Sequence, residues 1–131
     1  MIEDLEANEA SNDFDQELKD SSIDSWSQFS PVGVVLGITP FNFPAIIPLW
    51  MFPLALAAGN SFILKPSEKD PLATIFIAKL FNETKAPKGL LNLINGQKEQ
   101  VNKMLDDERI SAVSFVGSTD VARQIYTNST K

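Results

Sequence analysis

The sequence predicts an α/β fold in which a doubly wound, mainly parallel sheet is covered by helices on both faces. From residue 31 onward, segments typical of strands and segments typical of helices alternate strictly, four of each. Residues 61–64 form a short apolar run of the kind found in central parallel strands that are buried on both faces. We divide the chain into an acidic N-terminal arm, residues 1–24, and this α/β domain, residues 25–131.

The first strand and helix lie in residues 31–68, the most informative stretch of the chain. A strand rich in β-branched residues runs from Val32 to Ile38. The sixteen apolar residues 43–58 then predict a buried helix, with Pro44 in its first turn and Gly59-Asn60 ending it as a left-handed C-cap. This run is shorter than the roughly 20 residues of a membrane span, and it contains three prolines. We therefore expect no membrane partner.

The second strand and helix follow from similar signals. Residues 61–64 are typical of a central strand, and Asp70-Pro71 is typical of an N-cap followed by proline at the first helical position. Apolar residues at helical spacing predict the inward face of this helix, bordered by the stem of Lys79. That predicted face consists of Leu72, Ile75, Phe76 and Leu80.

Two more strands and two more helices complete the pattern. We predict strands over 90–94 and 110–116, a helix that opens at Gly96 and a last helix that starts at residues 117–119. The first of these helices carries Val101, Met104 and Leu105, and the residues expected to face inward from the last one are Val121, Ala122 and Ile125.

Composition excludes several classes of function. The net charge is −6, but residues 1–24 alone carry nine acidic side chains and one lysine. The nearly neutral remainder has no Lys/Arg cluster that could follow a phosphate backbone, so we expect no nucleic-acid partner. Because the 131 residues include no Cys and no His, we predict neither disulfides nor a metal site. The acidic N-terminus is opposite in charge to secretory and mitochondrial targeting segments. We expect a cytoplasmic location, with the mitochondrion as the alternative although no transit peptide is visible.

The carboxyl ends of parallel strands form the edge at which such sheets bind ligands. The residues at that edge are Thr39–Asn42, Lys65–Glu68, Asn95–Gly96 and Gly117–Thr119. Lys65 and Glu68 could hold the two hydroxyls of a ribose, and the carboxylate would repel a 2′-phosphate, favouring NAD over NADP. By itself, however, the pattern is also that of a solvated ion pair.

Two further segments of this edge could take part in chemistry. Gly117 and Ser118 at a helix N-terminus could bind a phosphate, or Ser118 or Thr119 could simply cap the helix. Asn42, between two phenylalanines and two prolines, could donate to an oxyanion, or could satisfy backbone groups in a turn. Neither a GxGxxG fingerprint nor a GxxxxGK[ST] loop is present.

The motifs together resemble the aldehyde dehydrogenase superfamily. They are PxGVxxxIxPFNFP, a Trp-containing helix that ends in LAAGN, a strand that ends in KPSE, and FVGST, in that order. Within the superfamily the segment FNFPAIIPLWMFPLALAAGN, Asn-Gly-Gln at 95–97 and SFVGST are most similar to methylmalonate-semialdehyde dehydrogenases. The resemblance covers about residues 22–131 and implies an incomplete Rossmann-like coenzyme-binding domain.

The resemblance also implies a reaction and a site. The reaction is NAD-dependent oxidation of a methylmalonate- or malonate-semialdehyde, with transfer of the acyl group to coenzyme A, in a homo-oligomeric enzyme. Asn42 would stabilise the oxyanion, and the residues expected to bind the coenzyme are Thr39, Pro40, Phe41, Lys65, Ser67, Glu68, Gly96, Gly117 and Ser118. Ala122 departs from the glycine that is usual there, and its methyl group could crowd the coenzyme site.

The nucleophile of that reaction is the largest departure from the family pattern. The chemistry needs a thiolate, which the family carries in a catalytic domain, and this sequence has no Cys. We therefore predict that the isolated 131 residues have no dehydrogenase activity. The alternatives are a non-catalytic nucleotide-binding or interaction module, and an inactive truncated remnant.

Overall fold

The computed structural model describes residues 26–129, so the predicted acidic arm lies outside the described residues. The strands are β1 (Val34–Ile38), β2 (Ser61–Lys65), β3 (Leu91–Leu93) and β4 (Ile110–Phe115). The helices are α1 (Ile46–Ala57), α2 (Leu72–Asn82), α3 (Lys98–Leu105) and α4 (Thr119–Ser129). The predicted alternation of four strands and four helices is confirmed.

The four strands form one sheet in the order β3-β2-β1-β4, and all its pairs are parallel. The chain first moves from β1 through β2 to β3 and then returns to the other side of β1. This reversal places α1 and α2 on one face of the sheet, and α3 and α4 on the other. The predicted doubly wound α/β fold is therefore confirmed.

Alternating side chains of the strands build a separate core on each face. On one face, Val35, Phe62 and Leu64 pack against α1 and α2. On the other face, Leu36 and Ile38 pack against Ile125 of α4 and the apolar side of α3. The central strands β1 and β2 are thus covered on both sides, whereas the edge strands β3 and β4 are partly exposed.

Helix α1 buries only one of its faces, so the predicted burial of this helix is correct for that face and wrong for the other. Its inward side is formed by Ile47, Pro48, Met51 and Phe52. Its outward side is apolar but uncovered, with Trp50 61% and Leu54 72% exposed. The helix also begins at Ile46, so Pro44 precedes it and does not lie in its first turn. The prediction of its end is correct, because Gly59 has a φ of +86°.

Helix α2 is rotated relative to the prediction. Thr74 and Ala78 are its buried residues, with Ile77 and Phe81 packed beside them. The predicted inward residues Leu72, Phe76 and Leu80 are exposed instead. The N-cap is Pro71 and makes no side-chain hydrogen bond, so the predicted cap at Asp70 is also wrong.

In α4, Ile125 is buried as predicted, but Val121 is exposed rather than inward-facing. None of the helices in residues 26–129 combines the length and apolar character that crossing a membrane would require.

Candidate functional site

Backbone hydrogen bonds hold the ends of the four strands side by side. The N–H of Ile94 donates to the carbonyl of Leu64 over 3.0 Å, and the N–H of Thr39 donates to the carbonyl of Lys65 over 3.1 Å. The N–H of Val116 donates to the carbonyl of Ile38 over 3.2 Å. The four segments that sequence reasoning singled out therefore follow one another along a single edge of the sheet.

Lys65 and Glu68 form an ion pair at the centre of this edge. Lys65 Nζ donates to Glu68 Oε2 over 3.2 Å, with the lysine side chain 6% and the glutamate side chain 47% exposed. The pKa of Glu68 is held below its ordinary value of 4.5. The largest cause is a hydrogen bond from the backbone N–H of Glu68 itself, and the second is the hydrogen bond from Lys65. The carboxylate is thus charged near neutral pH and keeps part of its surface free to accept hydrogen bonds.

The neighbouring polar residues at this edge are buried. Ser67 is buried, and its Oγ accepts a hydrogen bond from the N–H of Lys69 over 3.3 Å. Thr39 is also buried, and its Oγ1 is the one buried side-chain polar atom without a hydrogen-bond partner within residues 26–129. A buried hydroxyl without a partner costs free energy unless a bound molecule supplies one. Thr39 therefore points to a ligand at this edge, with Pro40 half-buried beside it.

A cleft of about 200 Å³ opens between α3 and α4 and reaches this edge at Ile38 and Lys65. Its apolar lining comes from Val101, Leu105, Val121 and Ile125, and its polar lining includes Gln97, Asn102, Gln124 and Asn128. Pockets for drug-sized ligands have volumes of roughly 300–1,000 Å³. The cleft therefore suits one flat, partly apolar portion of a larger ligand, such as a nucleobase.

The two predicted glycine segments lie at the starts of helices. Gly96 precedes Gln97, the N-cap of α3, whose N–H donates to the Oε1 of Gln100 over 2.8 Å. Gly117 and Ser118 are exposed at the start of α4, where the carbonyl of Ser118 accepts from the N–H of Ala122 over 2.9 Å. A Cβ at residue 117 would collide with the ring of Phe115. A side chain is thus excluded at the point where a phosphate could approach the helix N-terminus.

Asn42 lies in an exposed loop beyond β1. Phe41, Asn42 and Phe43 are all exposed, and Phe43 has a φ of +57°. A bulky residue in this left-handed conformation is strained and persists only where surrounding contacts fix it. The amide of Asn42 has no hydrogen-bond partner within the described residues and can donate to a ligand. The turn alternative, in which this amide would satisfy backbone groups, receives no support from the hydrogen bonds of this loop.

Only some of the predicted site residues lie at or beside the cleft. Lys65 borders the cleft, and Thr39, Ser67 and Glu68 lie next to Lys65 along the chain or across the sheet. Gly96, Gly117, Ser118 and Asn42 belong to the same edge but do not line the cleft. No group of three acidic side chains in residues 26–129 could hold a metal ion.

Sequence reasoning missed the polar lining of the cleft, namely Gln97, Asn102, Gln124 and Asn128. The sequence predicted a helix that carries Val101 and Leu105, but not a gap between α3 and α4. A usable signal is the i, i+4 pair Gln124 and Asn128, which lies beside the apolar side of α4.

Comparison with known proteins relates this chain to a large group of enzymes. A sequence model described as the Aldehyde dehydrogenase family matches residues 4–131. Over 110 residues the chain is 59% identical to a malonate-semialdehyde dehydrogenase of Pseudomonas aeruginosa, a match that covers 84% of this chain and 22% of the relative.

Two solved structures are also similar. A methylmalonate-semialdehyde dehydrogenase from Oceanimonas doudoroffii is 56% identical with a TM-score of 0.79, over 80% of this chain and 22% of that one. A putative methylmalonate-semialdehyde dehydrogenase from Sinorhizobium meliloti 1021, complexed with NAD, is 53% identical with a TM-score of 0.75, over 77% and 21%. The chain thus spans about one fifth of the length of these relatives.

Proposed function

This chain belongs to the aldehyde dehydrogenase family, and from that membership we propose that the strand-end edge of its sheet binds NAD for the oxidation of an aldehyde. The proposed substrate is a malonate- or methylmalonate-semialdehyde, with coenzyme A as the acyl acceptor. Relatives that carry these names at 56–59% identity support the substrate class.

The observation that carries the coenzyme role is the cleft between α3 and α4, which opens beside Lys65. The adenine would enter its apolar part, and the adenosine ribose would meet the Lys65–Glu68 pair. There the carboxylate accepts from the ribose hydroxyls, and its charge disfavours a 2′-phosphate. Ser118 and the backbone N–H groups at the start of α4 would hold the diphosphate, and the unpartnered hydroxyl of Thr39 fits a polar ligand at the same edge.

The reacting part of the site would be formed only in part by this chain. NAD, when bound, supplies the hydride acceptor. Asn42 would donate from its side-chain amide to the oxygen of the substrate carbonyl as negative charge develops there. Because the sequence contains no Cys, the thiolate that the family chemistry needs must come from another polypeptide segment. We therefore expect no NADH production from a semialdehyde by the purified 131 residues.

Isothermal titration calorimetry with NAD tests the coenzyme role. We expect saturable binding that weakens about tenfold or more in Glu68→Ala, because hydrogen bonds to a charged group are lost. The matched control is Glu83→Ala, which removes an exposed carboxylate at the distant end of α2. Absence of binding to the wild-type chain, or equal binding by Glu68→Ala and the wild type, would contradict the proposal.

One alternative is a nucleotide-binding module without catalysis, which the absence of Cys and His favours. Calorimetry would then still detect NAD. Reconstitution with a Cys-bearing family segment separates the two functions, because only a dehydrogenase would then reduce NAD with a semialdehyde.

A further inference from the structure

A proline at residue 48 leaves a gap in the hydrogen bonding at the start of α1. The N–H of Ile47 donates to the carbonyl of Phe43, and the N–H of Leu49 donates to the carbonyl of Ala45, each over 3.3 Å. The bond between them would run from residue 48 to the carbonyl of Pro44. Residue 48 is proline and has no N–H to donate. The Pro44 carbonyl therefore needs a donor from outside its own helix.

Thr74 of α2 supplies that donor. Its Oγ1 donates to the carbonyl of Pro44 over 2.8 Å, across thirty residues of sequence. The exposed fraction of Thr74 is 0%, so its hydroxyl has no contact with solvent. Because Pro44 lies two residues after Asn42, the hydroxyl of Thr74 fixes the C-terminal end of the loop that carries the Asn42 amide.

Lys69 contacts the N-terminal end of the same loop. Its Nζ lies 4.9 Å from the centroid of the Phe41 ring, within the range of a cation–π interaction. Lys69 directly follows Glu68, and its own N–H is held by the buried Ser67. The segment from the end of β2 to the first turn of α2 thus carries Lys65 and Glu68, and through Lys69 and Thr74 it also contacts the Asn42 loop at both ends.

We propose that Thr74 is a positioning residue that, through the Pro44 carbonyl, fixes the backbone from which the Asn42 side chain extends. Lys69 assists from the other side of the loop. The strained Phe43 between these two attachments keeps its left-handed conformation because both ends of the loop are fixed. The proposal rests on the role proposed above for Asn42, and it couples the orientation of that amide to the Lys65–Glu68 loop.

The test compares variants of the full 131-residue chain by hydrogen–deuterium exchange and by NMR of the Asn42 side-chain amide. In Thr74→Val, which removes the hydroxyl but keeps the shape, we expect exchange of the hydrogen-bonded N–H groups of Ile47 and Leu49 to accelerate about tenfold. The Asn42 amide resonances should shift as well. Thr74→Ser keeps the hydroxyl and should restore both readouts to within about twofold of the wild type.

The control is Thr84→Val, because Thr84 Oγ1 also donates to a backbone carbonyl, that of Phe81 over 2.7 Å, but at the far end of α2. A merely structural role for Thr74 would accelerate exchange across the whole sheet and leave the Asn42 resonances of the folded population unchanged, and that result would overturn the proposal. Wild-type exchange of the Ile47 and Leu49 N–H groups in a folded Thr74→Val would overturn it too.

If Thr74→Val does not fold, Lys69→Met provides the test. We then expect shifted Asn42 side-chain amide resonances and faster exchange of the Ile47 N–H, which donates to the carbonyl of Phe43. No change in either readout would contradict the proposal. None of these readouts uses NAD, so failure of NAD to bind would count against the proposed function and not against the role of Thr74.

Discussion

The ammonium of Lys65 lies 3.2 Å from Oε2 of Glu68, and this contact joins a buried cation to a half-exposed carboxylate. The lysine is buried at the end of β2, so its charge has few partners other than Glu68 within the described residues. The carboxylate, in contrast, keeps contact with solvent. The geometry stabilises Lys65 and leaves Glu68 able to accept hydrogen bonds from a ligand.

This asymmetry leads to a pH-dependent contribution to stability. The folded chain lowers the pKa of Glu68 below 4.5, chiefly through its own backbone N–H and then through Lys65. The stabilisation is therefore fully present above pH 4.5, the ordinary pKa of the group. It is lost as the pH falls through the lower pKa that Glu68 has in the folded chain. Because the carboxylate is half exposed, we expect its contribution to remain below about 1 kcal/mol.

Urea denaturation of the wild type and Glu68→Gln at several pH values tests this expectation. The wild type should be the more stable near neutral pH, and the difference should vanish on acidification. Glu83→Gln, which removes a carboxylate that has no ion pair in residues 26–129, is the control. A difference for Glu68→Gln that grows on acidification would contradict the sign of the effect.

A second prediction concerns the cleft between α3 and α4. Val121 lines it and is partly exposed, so a larger side chain at this position can fill the cleft without entering the core. We expect Val121→Phe to weaken NAD binding about tenfold or more, since steric crowding of this size costs about 1–3 kcal/mol. Val121→Ala widens the cleft and should bind within about threefold of the wild type. Equal calorimetric affinities for the two variants would exclude the cleft as the adenine site.

The sequence predicted the fold because its short-range signals agree with its long-range packing. Apolar strand runs, the left-handed Gly59 and the alternation of elements specify a parallel sheet, and the family resemblance is confirmed by the matches to aldehyde dehydrogenases. The inward face of α2 could not be predicted in this way. Thr74 is polar and faces inward because its hydroxyl bonds to Pro44, thirty residues away, and hydrophobic periodicity carries no information on such a contact.

The candidate site could be predicted only in part, because part of it depends on contacts between residues that are distant in sequence. Strand ends identify the edge where Lys65, Glu68, Asn42 and Ser118 lie, because parallel topology alone places them there. The cleft depends instead on the separation of α3 and α4, and this separation is set by side chains on both helices. The uncovered side of α1 was also unpredictable, because an apolar helix gives no sequence signal of which face is covered.

A third prediction concerns Gly37 in the centre of β1. A Cβ at this position would collide with the ring of Phe62, which is buried. We expect Gly37→Ala to destabilise the fold by about 1–3 kcal/mol through overpacking. In a Phe62→Leu background the same substitution should cost less, since the shorter side chain leaves room. Additive effects in this double-mutant cycle, measured by urea denaturation, would show that the ring does not require glycine.

A fourth prediction uses the ion pair that precedes β4. Arg109 donates from Nη2 and Nε to the two carboxylate oxygens of Asp107 over 2.7 and 2.9 Å, and its backbone N–H donates over 3.0 Å. These contacts lower the pKa of Asp107 from 3.8 to about 2. The side-chain hydrogen bond from Arg109 is the larger cause, and its backbone hydrogen bond is the second. In Arg109→Gln the pKa should rise toward 3.8 but remain below it, because the backbone N–H still donates.

The carboxyl carbon resonance of Asp107 gives this pKa directly. Between pH 5 and about pH 3 it should stay nearly constant in the wild type and move in Arg109→Gln. The Glu68 resonance in the same spectra is an internal control that the substitution should leave unchanged. A titration of Asp107 that is identical in the two chains would mean that the pair is not formed in solution.

The last prediction concerns the uncovered side of α1. No residue of this helix carries a charge, and Leu49, Trp50 and Leu54 project an apolar stripe away from the sheet. Isolated apolar side chains are normal on protein surfaces, but a contiguous stripe of this kind binds apolar molecules.

We expect the folded wild-type chain to bind the dye anilinonaphthalene sulfonate, and Trp50→Lys/Leu54→Lys to bind several-fold less of it. Because both residues are exposed, the free energy of unfolding of the double variant should differ from that of the wild type by no more than about 0.5 kcal/mol per site. Met51→Lys is the contrasting control, since Met51 faces the sheet and a buried ammonium there should unfold the chain. Equal dye binding by the wild type and the double variant would mean that the dye reports loose packing of the whole chain rather than this stripe.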